Sequence, residues 1–464
     1  MRRVAKRFTQ SAVAWSFLGT FLRVGASVFV LPLVLRKLPP EHLGMWYVFG
    51  SLGAFALLLD LGFEATITRM ASYVWAGAPR LTAFGFHDSD ADASREPNRP
   101  LFRDLLATLR AYYLALGLAV LLLLGVGGGA WVWQKSAHLP DATTIRGAWC
   151  VYALGVTLNF VGGRWPALLG GIGAIRTAQQ IGVAGLLVYY ALAVAGLSLG
   201  YGLWSLVVAL FVMGIVVRAL GRTVFARVAA LPEGIPAPRL HREIFAAIWP
   251  NAWRTGLVAL GAFLIVQANT LICSAFLGLA TTASYGISFQ LVSMLVGLSA
   301  VWVQVKLPLI NQLRVAGSFE EITRLFATRM RLVVASFFAG SLAIFFLAPP
   351  VLQLLGSRTE LLPPPLLGAL LLIQFLEMHH SQYASLVLTE NRNPFLRPAL
   401  LSGVLIVAAS VLLAPRLGVW GLLLSAGVVQ LCFNNWWPVL RGIRGLKVSP
   451  GHYWRAFFGL LPNA

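Results

Sequence analysis

A bilayer helix needs about 20 consecutive, mostly apolar residues, and this chain of 464 residues supplies such windows almost from end to end. Bounded by charges or by Pro and Gly, they fall approximately at 10–35, 43–76, 102–134, 146–171, 177–198, 202–224, 244–274, 282–308, 325–347, 363–388, 397–414 and 418–440. Twelve spans leave short loops and no sizeable extramembrane domain. Composition agrees where it matters: 11% of residues are charged, less than half the roughly 25% of a soluble domain. The expectation is an all-α polytopic membrane protein, which excludes a soluble enzyme, a secreted disulfide scaffold and a single-span receptor. The first window follows Met1-Arg2-Arg3-Val4-Ala5-Lys6-Arg7 but carries Arg23 and lacks a small-residue cleavage site, so it reads as an uncleaved span. Cys150, Cys273 and Cys432 all lie in apolar stretches and give no support for disulfides, zinc or thiol chemistry.

Placing the basic residues on this span map explains the formal charge of +20 without nucleic acid. Twenty-five Lys and Arg flank the side shared by the N-terminus, and six flank the other: Arg36, Lys37, Lys135, Arg146, Arg358 and Arg416. By the positive-inside bias, both termini are expected in the cytoplasm, on a face that also attracts anionic membrane lipids. Five arginines remain inside spans: Arg23, Arg69, Arg110, Arg164 and Arg254. Arg69 and Arg110 lie close enough to span ends to snorkel. Arg23, Arg164 and Arg254 read as deeper, and an Arg at a helix centre costs at least about 2.5–3.5 kcal/mol on insertion scales, so each should face a cavity or a partner.

The chain reads as two halves of one plan. Leu199-Gly200-Tyr201-Gly202-Leu203-Trp204 precedes span six and Leu417-Gly418-Val419-Trp420-Gly421-Leu422 precedes span twelve, an offset of 218, while Leu43-Gly44-Met45 matches Tyr285-Gly286-Ile287 at 242. Six spans return the chain to its starting side, so the halves share one topology, a parallel repeat about an axis along the membrane normal. The expected organisation is a six-helix lobe over 1–225, a cytoplasmic linker over 226–243 containing Leu-Pro-Glu-Gly-Ile-Pro-Ala-Pro, a second six-helix lobe over 244–440 and a cytoplasmic tail over 441–464.

Polar residues within spans mark the candidate sites. Asp60, Glu64 and Thr68 follow at i, i+4 and i+8, one helix face; they form either a polar wall that contacts substrate or a coupling cation, or a structural ion pair with Arg23 or Arg164. Gln374, Glu377, His380 and Ser381 share one broad face of span ten beside His379. There the alternatives are proton or substrate contact, since histidine titrates near neutral pH, and interhelical hydrogen bonding. The Glu-x-x-His spacing suits a metal only when a second such motif accompanies it, and none does. Span seven opens with Trp249-Pro250-Asn251-Ala252-Trp253-Arg254, where Pro250 should kink the helix, and Gln267 and Asn269 follow; its aromatics suit sugar stacking or an interfacial belt. The loop from His87 to Ala93 imitates a calcium loop, but Ala93 holds the glycine position and Arg99 the final glutamate, so it reads as a solvated loop. Neither a nucleophile motif nor a phosphate-cradling glycine loop occurs, which favours a transporter over an enzyme.

The segment Pro32-Leu33-Val34-Leu35-Arg36-Lys37-Leu38-Pro39-Pro40-Glu41-His42-Leu43-Gly44-Met45-Trp46 resembles the first hairpin of polysaccharide-exporting flippases. Leu58-Leu59-Asp60-Leu61-Gly62 with Arg69 is similar to that family's second helix, and Thr389-Glu390-Asn391-Arg392-Asn393-Pro394-Phe395 and Leu417-Gly418-Val419-Trp420-Gly421 to its second-half loops. The family is the Wzx-type O-antigen and polysaccharide exporter, in the superfamily that includes the multidrug MATE exporters. The resemblance implies two six-helix lobes in a MATE-like V around a cationic cavity, in the bacterial inner membrane. The cargo it implies is an oligosaccharide linked to polyprenyl pyrophosphate, carried by alternating access for surface polysaccharide biosynthesis, with other polysaccharide assembly proteins as partners. Transferred to this chain, substrate-binding roles fall on Arg23, Asp60, Glu64 and Arg164, then on Arg254 and Glu377. Where members often carry an acidic residue in span seven, this chain has Gln267 and Asn269, a departure that argues against cation coupling there; no cofactor is implied beyond coupling to H+ or Na+. The alternatives are a MATE-like, cation-coupled multidrug exporter and a membrane-embedded glycan enzyme.

Overall fold

A computed structural model describes residues 15, 18–19, 22, 30–60, 63–82, 96–162, 164–231, 234–390 and 394–460, and all regular structure among them is helical. Arg23 and the loop 87–93 lie outside the described residues. The chain divides into two compact units, Met1–Leu260 and Gly261–Ala464.

The first unit contains α1 (Pro40–Leu57), α2 (Phe63–Trp75), α3 (Arg99–Leu122), α4 (Gly129–Ser136), α5 (Ala142–Gly162), α6 (Arg164–Gly171), α7 (Ile175–Ser198), α8 (Leu203–Val228) and the first turns of α9 (Arg242–Val266). The division falls inside α9 rather than in the connector 226–243. Its physical reason is aromatic: Phe245 and Trp249 stack on one another and join Phe63 and Tyr112 of this unit. The second unit holds the rest of α9, then α10 (Ala268–Phe276), α11 (Leu279–Gln304), α12 (Leu307–Val315), α13 (Phe319–Leu354), α14 (Pro364–Leu388), α15 (Leu396–Leu417), α16 (Val419–Cys432), α17 (Trp437–Arg444) and α18 (Pro450–Phe458).

Among the described residues, seven helices are long and apolar enough to cross a membrane, and an eighth candidate is the pair Ala252–Val266 and Ala268–Phe276, bent by 41°. The chain is therefore a multi-pass membrane protein. The other four expected spans stand apart from these. The first lies mostly outside the described residues, and the fourth is described as α5 and α6 on either side of residue 163, which also lies outside them. The tenth, α14, is diluted by Gln374, Glu377, His379, His380 and Gln382. The twelfth ends at Cys432 after only 14 helical residues. In span seven Pro250 lies inside α9, and a bend lies at Gln267, between α9 and α10.

Between apolar helices in lipid, close packing replaces the hydrophobic drive, and small residues permit it. The internal repeat also has a backbone signature. Gly202 (φ 54°, ψ −131°) opens α8 and Gly418 (φ 61°, ψ −139°) opens α16, conformations open essentially only to glycine. This pairs Gly202-Leu203-Trp204 with Gly418-Val419-Trp420, an offset of 216 rather than 218. Asp104, near the start of α3, then pairs with Glu320 at the start of α13, and both meet a histidine from the segment that follows the sixth span of their own half: His241 at 3.6 Å and His452 at 2.7 Å. The connector lies along α3, with Arg239 N donating to Ala107 O and His241 N to Thr108 Oγ1. In the second unit α17 and α18 fold back in the same manner, so the region expected as a tail is a docked one. Arg441 pairs with Glu390 at 3.1 Å, and the Tyr453 and Tyr383 hydroxyls meet at 2.7 Å. Burial pushes the Tyr453 phenol far above its ordinary range, which keeps it a neutral partner in that bond.

Candidate functional site

Each unit carries one intramembrane polar cluster. In the first, span two leaves α-geometry after Leu57, makes a single 3-10 turn over Leu58–Asp60, and resumes as α2 at Phe63. Asp60 therefore precedes α2 and caps it: one carboxylate oxygen accepts from Glu64 N at 3.3 Å and the other from Tyr113 Oη at 2.8 Å. Phe63 is fully buried and stacks on Tyr112 at 4.1 Å, which holds α2 against α3. Glu64 is exposed and makes no ion pair among the described residues, while the Thr68 hydroxyl donates to Ala167 O of α6 at 3.2 Å. The expected wall of Asp60, Glu64 and Thr68 is thus not one uninterrupted face, because the helix restarts between its first two members.

Arg164 opens α6 with only 5% of its surface exposed, its guanidinium 4.7 Å from the centre of the Trp165 ring. Among the described residues Nε and Nη1 have no hydrogen-bond partner, and no carboxylate pairs with the side chain. The structural ion pair considered between Arg164 and Asp60 or Glu64 is not formed, because Asp60 is taken by Tyr113 and the backbone. Of the arginines on α8, Arg218 is half-buried and Arg222 exposed. Arg218 and Arg222 come from α8, where sequence position alone makes them ordinary span-end residues. Arg254 is exposed and lies over Trp253 at 5.6 Å.

In the second unit Glu377 sits in a hydrogen-bonded chain across three elements. Gln430 Nε2 of α16 donates to Glu377 Oε2 at 2.6 Å; Asn434 Nδ2 donates to Gln430 Oε1 at 2.6 Å and to Ser402 Oγ of α15 at 2.9 Å. His380 Nε2 lies 3.6 Å from the other Glu377 oxygen, and its Nδ1 is 3.1 Å from Leu376 O. Gln374, on the same helix face, is half-buried and not in this chain, and His379 leans between Phe375 and Tyr383. Gln430, Asn434 and Ser402 carry no motif that the sequence could have shown; only a strong apolar setting around isolated amides (Gln430 lies in a fourteen-residue apolar helix) points toward them. Asn269 fastens α10 instead, accepting from Ser410 Oγ at 2.9 Å and donating to Leu422 O at 3.4 Å. No group of three or more His, Cys, Asp or Glu among the described residues could hold a metal ion.

Solved structures share this fold along nearly the whole chain. An inward-facing multidrug resistance MATE family transporter of the MOP superfamily matches with a TM-score of 0.64 and 14% identity, over 95% of this chain and 100% of that one. A mutant of the Vibrio cholerae MATE transporter VcmN matches at 0.56 and 14%, over 97% and 99%. A MOP superfamily transporter from Pyrococcus furiosus, described as having a binding pocket of reverse polarity that suggests a different function, matches at 0.55 and 15%, over 96% and 98%. No protein-family model matches the sequence, and neither does any curated protein. At these identities the likeness establishes the fold, that of the MATE transporters.

Proposed function

We propose that this protein moves a polyprenyl-pyrophosphate-linked oligosaccharide across the bacterial inner membrane by alternating access, for cell-surface polysaccharide biosynthesis. The observation that carries this reading is Arg164: a buried guanidinium in an apolar helix, with two nitrogens unpartnered among the described residues. A buried donor without an acceptor costs about 1–3 kcal/mol, more when charged, and such a cost inside a membrane marks a substrate or ion path. An anionic headgroup, which hydrocarbon excludes, supplies the missing acceptors while its prenyl tail remains in lipid. The likeness in fold to transporters supports the transport half of the reading. Arg23, Glu64 and Arg254 remain further candidate contacts of the cargo, and Glu377, His380 and Gln374 candidate proton or substrate contacts.

The runner-up, a cation-coupled exporter of cationic compounds, rests on the carboxylates of Asp60 and Glu377. Both accept hydrogen bonds from neutral donors within the protein, whereas Arg164 Nε and Nη1 find no acceptor among the described residues, and this polarity favours an anionic cargo. Deleting the gene and extracting lipid-linked saccharides tests the two together. Accumulation of a complete repeat unit on its carrier, with surface polysaccharide lost, is the expected result. Unchanged lipid pools with new sensitivity to cationic drugs would overturn it in favour of the runner-up.

A further inference from the structure

After Glu390 the chain contains no acidic residue, and the part beyond α16 collects Arg441, Arg444, Lys447 and Arg455 among seven aromatic residues between Phe433 and Phe458. The connector after the sixth span of the first half makes the matching histidine contact, His241 to Asp104, with no aromatic residue between Ala229 and His241. Docking the end of a half onto its own helices therefore does not require aromatics, and those of the second half need another reason.

α17 and α18 are eight and nine residues long, far short of the about 20 that a span needs. They are held at one end of the second unit. Arg441 pairs with Glu390 just past α14, His452 with Glu320 in the first turn of α13, and the Lys447 ammonium lies 4.5 Å from the centre of the Phe319 ring. At those positions charged residues give way to the apolar stretches of the two spans, so the segment lies beside the level at which the spans leave the hydrocarbon. The link between the two short helices is a formed turn: Lys447 takes the left-handed backbone (φ 55°) that few non-glycine residues adopt.

Each short helix has an inner and an outer face. α18 turns Tyr453 and Ala456 into the unit and leaves Trp454 and Phe458 outside, one turn apart, with ring centres 6.4 Å from one another. Phe458 and Leu460 are 66% and 70% exposed. α17 buries Pro438, Gly442 and Ile443, while Trp436, Leu440 and Arg444 follow at steps of four along its outer side. Arg444, Lys447 and Arg455 are exposed and form no ion pair among the described residues. Rings and unneutralised cations on one outward side are what a helix in the membrane interface presents, the rings at the acyl boundary and the cations among the headgroups. A second copy of the chain is a poor match for this side, since it offers 16 acidic residues against 36 Lys and Arg.

We propose that α17 and α18 form an interfacial anchor on the surface of a bilayer containing anionic phospholipid. Trp436, Leu440, Trp454 and Phe458 enter the acyl boundary, and Arg444, Lys447 and Arg455 face the anionic headgroups. Because the segment is joined to α13 and α14, it fixes the depth and tilt of the second unit in the membrane. The anchor needs no assumption about the cargo and stands or falls apart from the export reading.

The test uses the full chain with Cys150, Cys273 and Cys432 replaced by Ser and a fluorescent bimane on Gly451→Cys. Gly451 shares the stripe of Trp454 and Phe458, at i, i+3 and i+7; it is exposed, and an added Cβ there meets open space. In nanodiscs of equal parts phosphatidylcholine and phosphatidylglycerol, lipids with a nitroxide near the headgroup should quench the label strongly and aqueous acrylamide weakly. Quenching should be stronger when phosphatidylglycerol carries the nitroxide than when phosphatidylcholine does. Arg444→Gln, Lys447→Gln and Arg455→Gln should each lower that preference by up to about fivefold, the equivalent of roughly 1 kcal/mol for a basic side chain near an anionic surface. Arg416→Gln, outside the segment, should leave it unchanged, and Tm should hold in all four variants. Trp454→Ala combined with Phe458→Ala should instead move the label toward water and raise acrylamide quenching. Strong acrylamide quenching with the segment intact, or equal quenching by the two nitroxide lipids, overturns the anchor. Protection from lipid and acrylamide alike overturns it too, in favour of a second protein surface.

Discussion

At the scale of single residues, the two clusters differ in what a substitution leaves behind. Glu377, Gln430, Asn434 and Ser402 satisfy one another, so replacing Gln430 with Leu takes one partner from a half-buried carboxylate and one from a buried amide at once. That change should lower stability by about 1–3 kcal/mol, read as a fall in Tm in detergent, whereas Glu377→Gln keeps the hydrogen bonding and should cost less than about 1.5 kcal/mol. The reverse ordering would show that the Glu377 charge, not the hydrogen bond, holds the network. Tyr113→Phe removes the hydroxyl that Asp60 accepts from and should destabilise by about 1 kcal/mol or more. Arg164 behaves differently, because its Nε and Nη1 have no partner among the described residues to strand. Arg164→Gln should abolish complementation of a deletion strain while Tm holds steady or rises, and a large fall in Tm would mark the arginine as structural. Span depth alone singled out Arg164 and Glu377, since an ionisable group amid apolar neighbours is conspicuous in one dimension.

Between elements, the informative positions are those where the backbone has no alternative. Gly202→Ala and Gly418→Ala each force a Cβ into a conformation that only glycine adopts, at a cost of about 1–3 kcal/mol. Measured separately by thermal unfolding, the two losses should be similar, since both glycines open the equivalent helix of their half. Unequal losses, with one near zero, would argue against the repeat. These same glycines correct the register between the halves, as matching letters in a Leu- and Gly-rich chain align at 218 as readily as at 216. The break at Leu58–Asp60 and the bend at Gln267 were equally out of reach of hydropathy, which sees an apolar window and not the path of the backbone within it. Pro250 does not end its helix either: a proline is tolerated within a membrane helix because neighbouring groups re-satisfy the carbonyl it frees.

For the whole molecule, the charge bias makes an orientation that can be tested directly. A single cysteine introduced by Ala237→Cys in the connector, where the side chain is exposed, with Cys150, Cys273 and Cys432 replaced by Ser, should react with a membrane-impermeant maleimide only from the cytoplasmic side. Labelling from the opposite side would invert the topology and remove the positive-inside argument with it. Membrane class and helical content were legible before any coordinates, because the bilayer imposes length and apolarity on each span independently of the others. The hydrogen bond from Gln430 to Glu377, the capping of α2 by Asp60, and the seating of Gly221 against Trp165 were decided only by the tertiary structure. Those contacts join residues on different helices, and which face of a helix meets which neighbour depends on close packing around small residues such as Gly221, a non-local condition that no window along the chain contains.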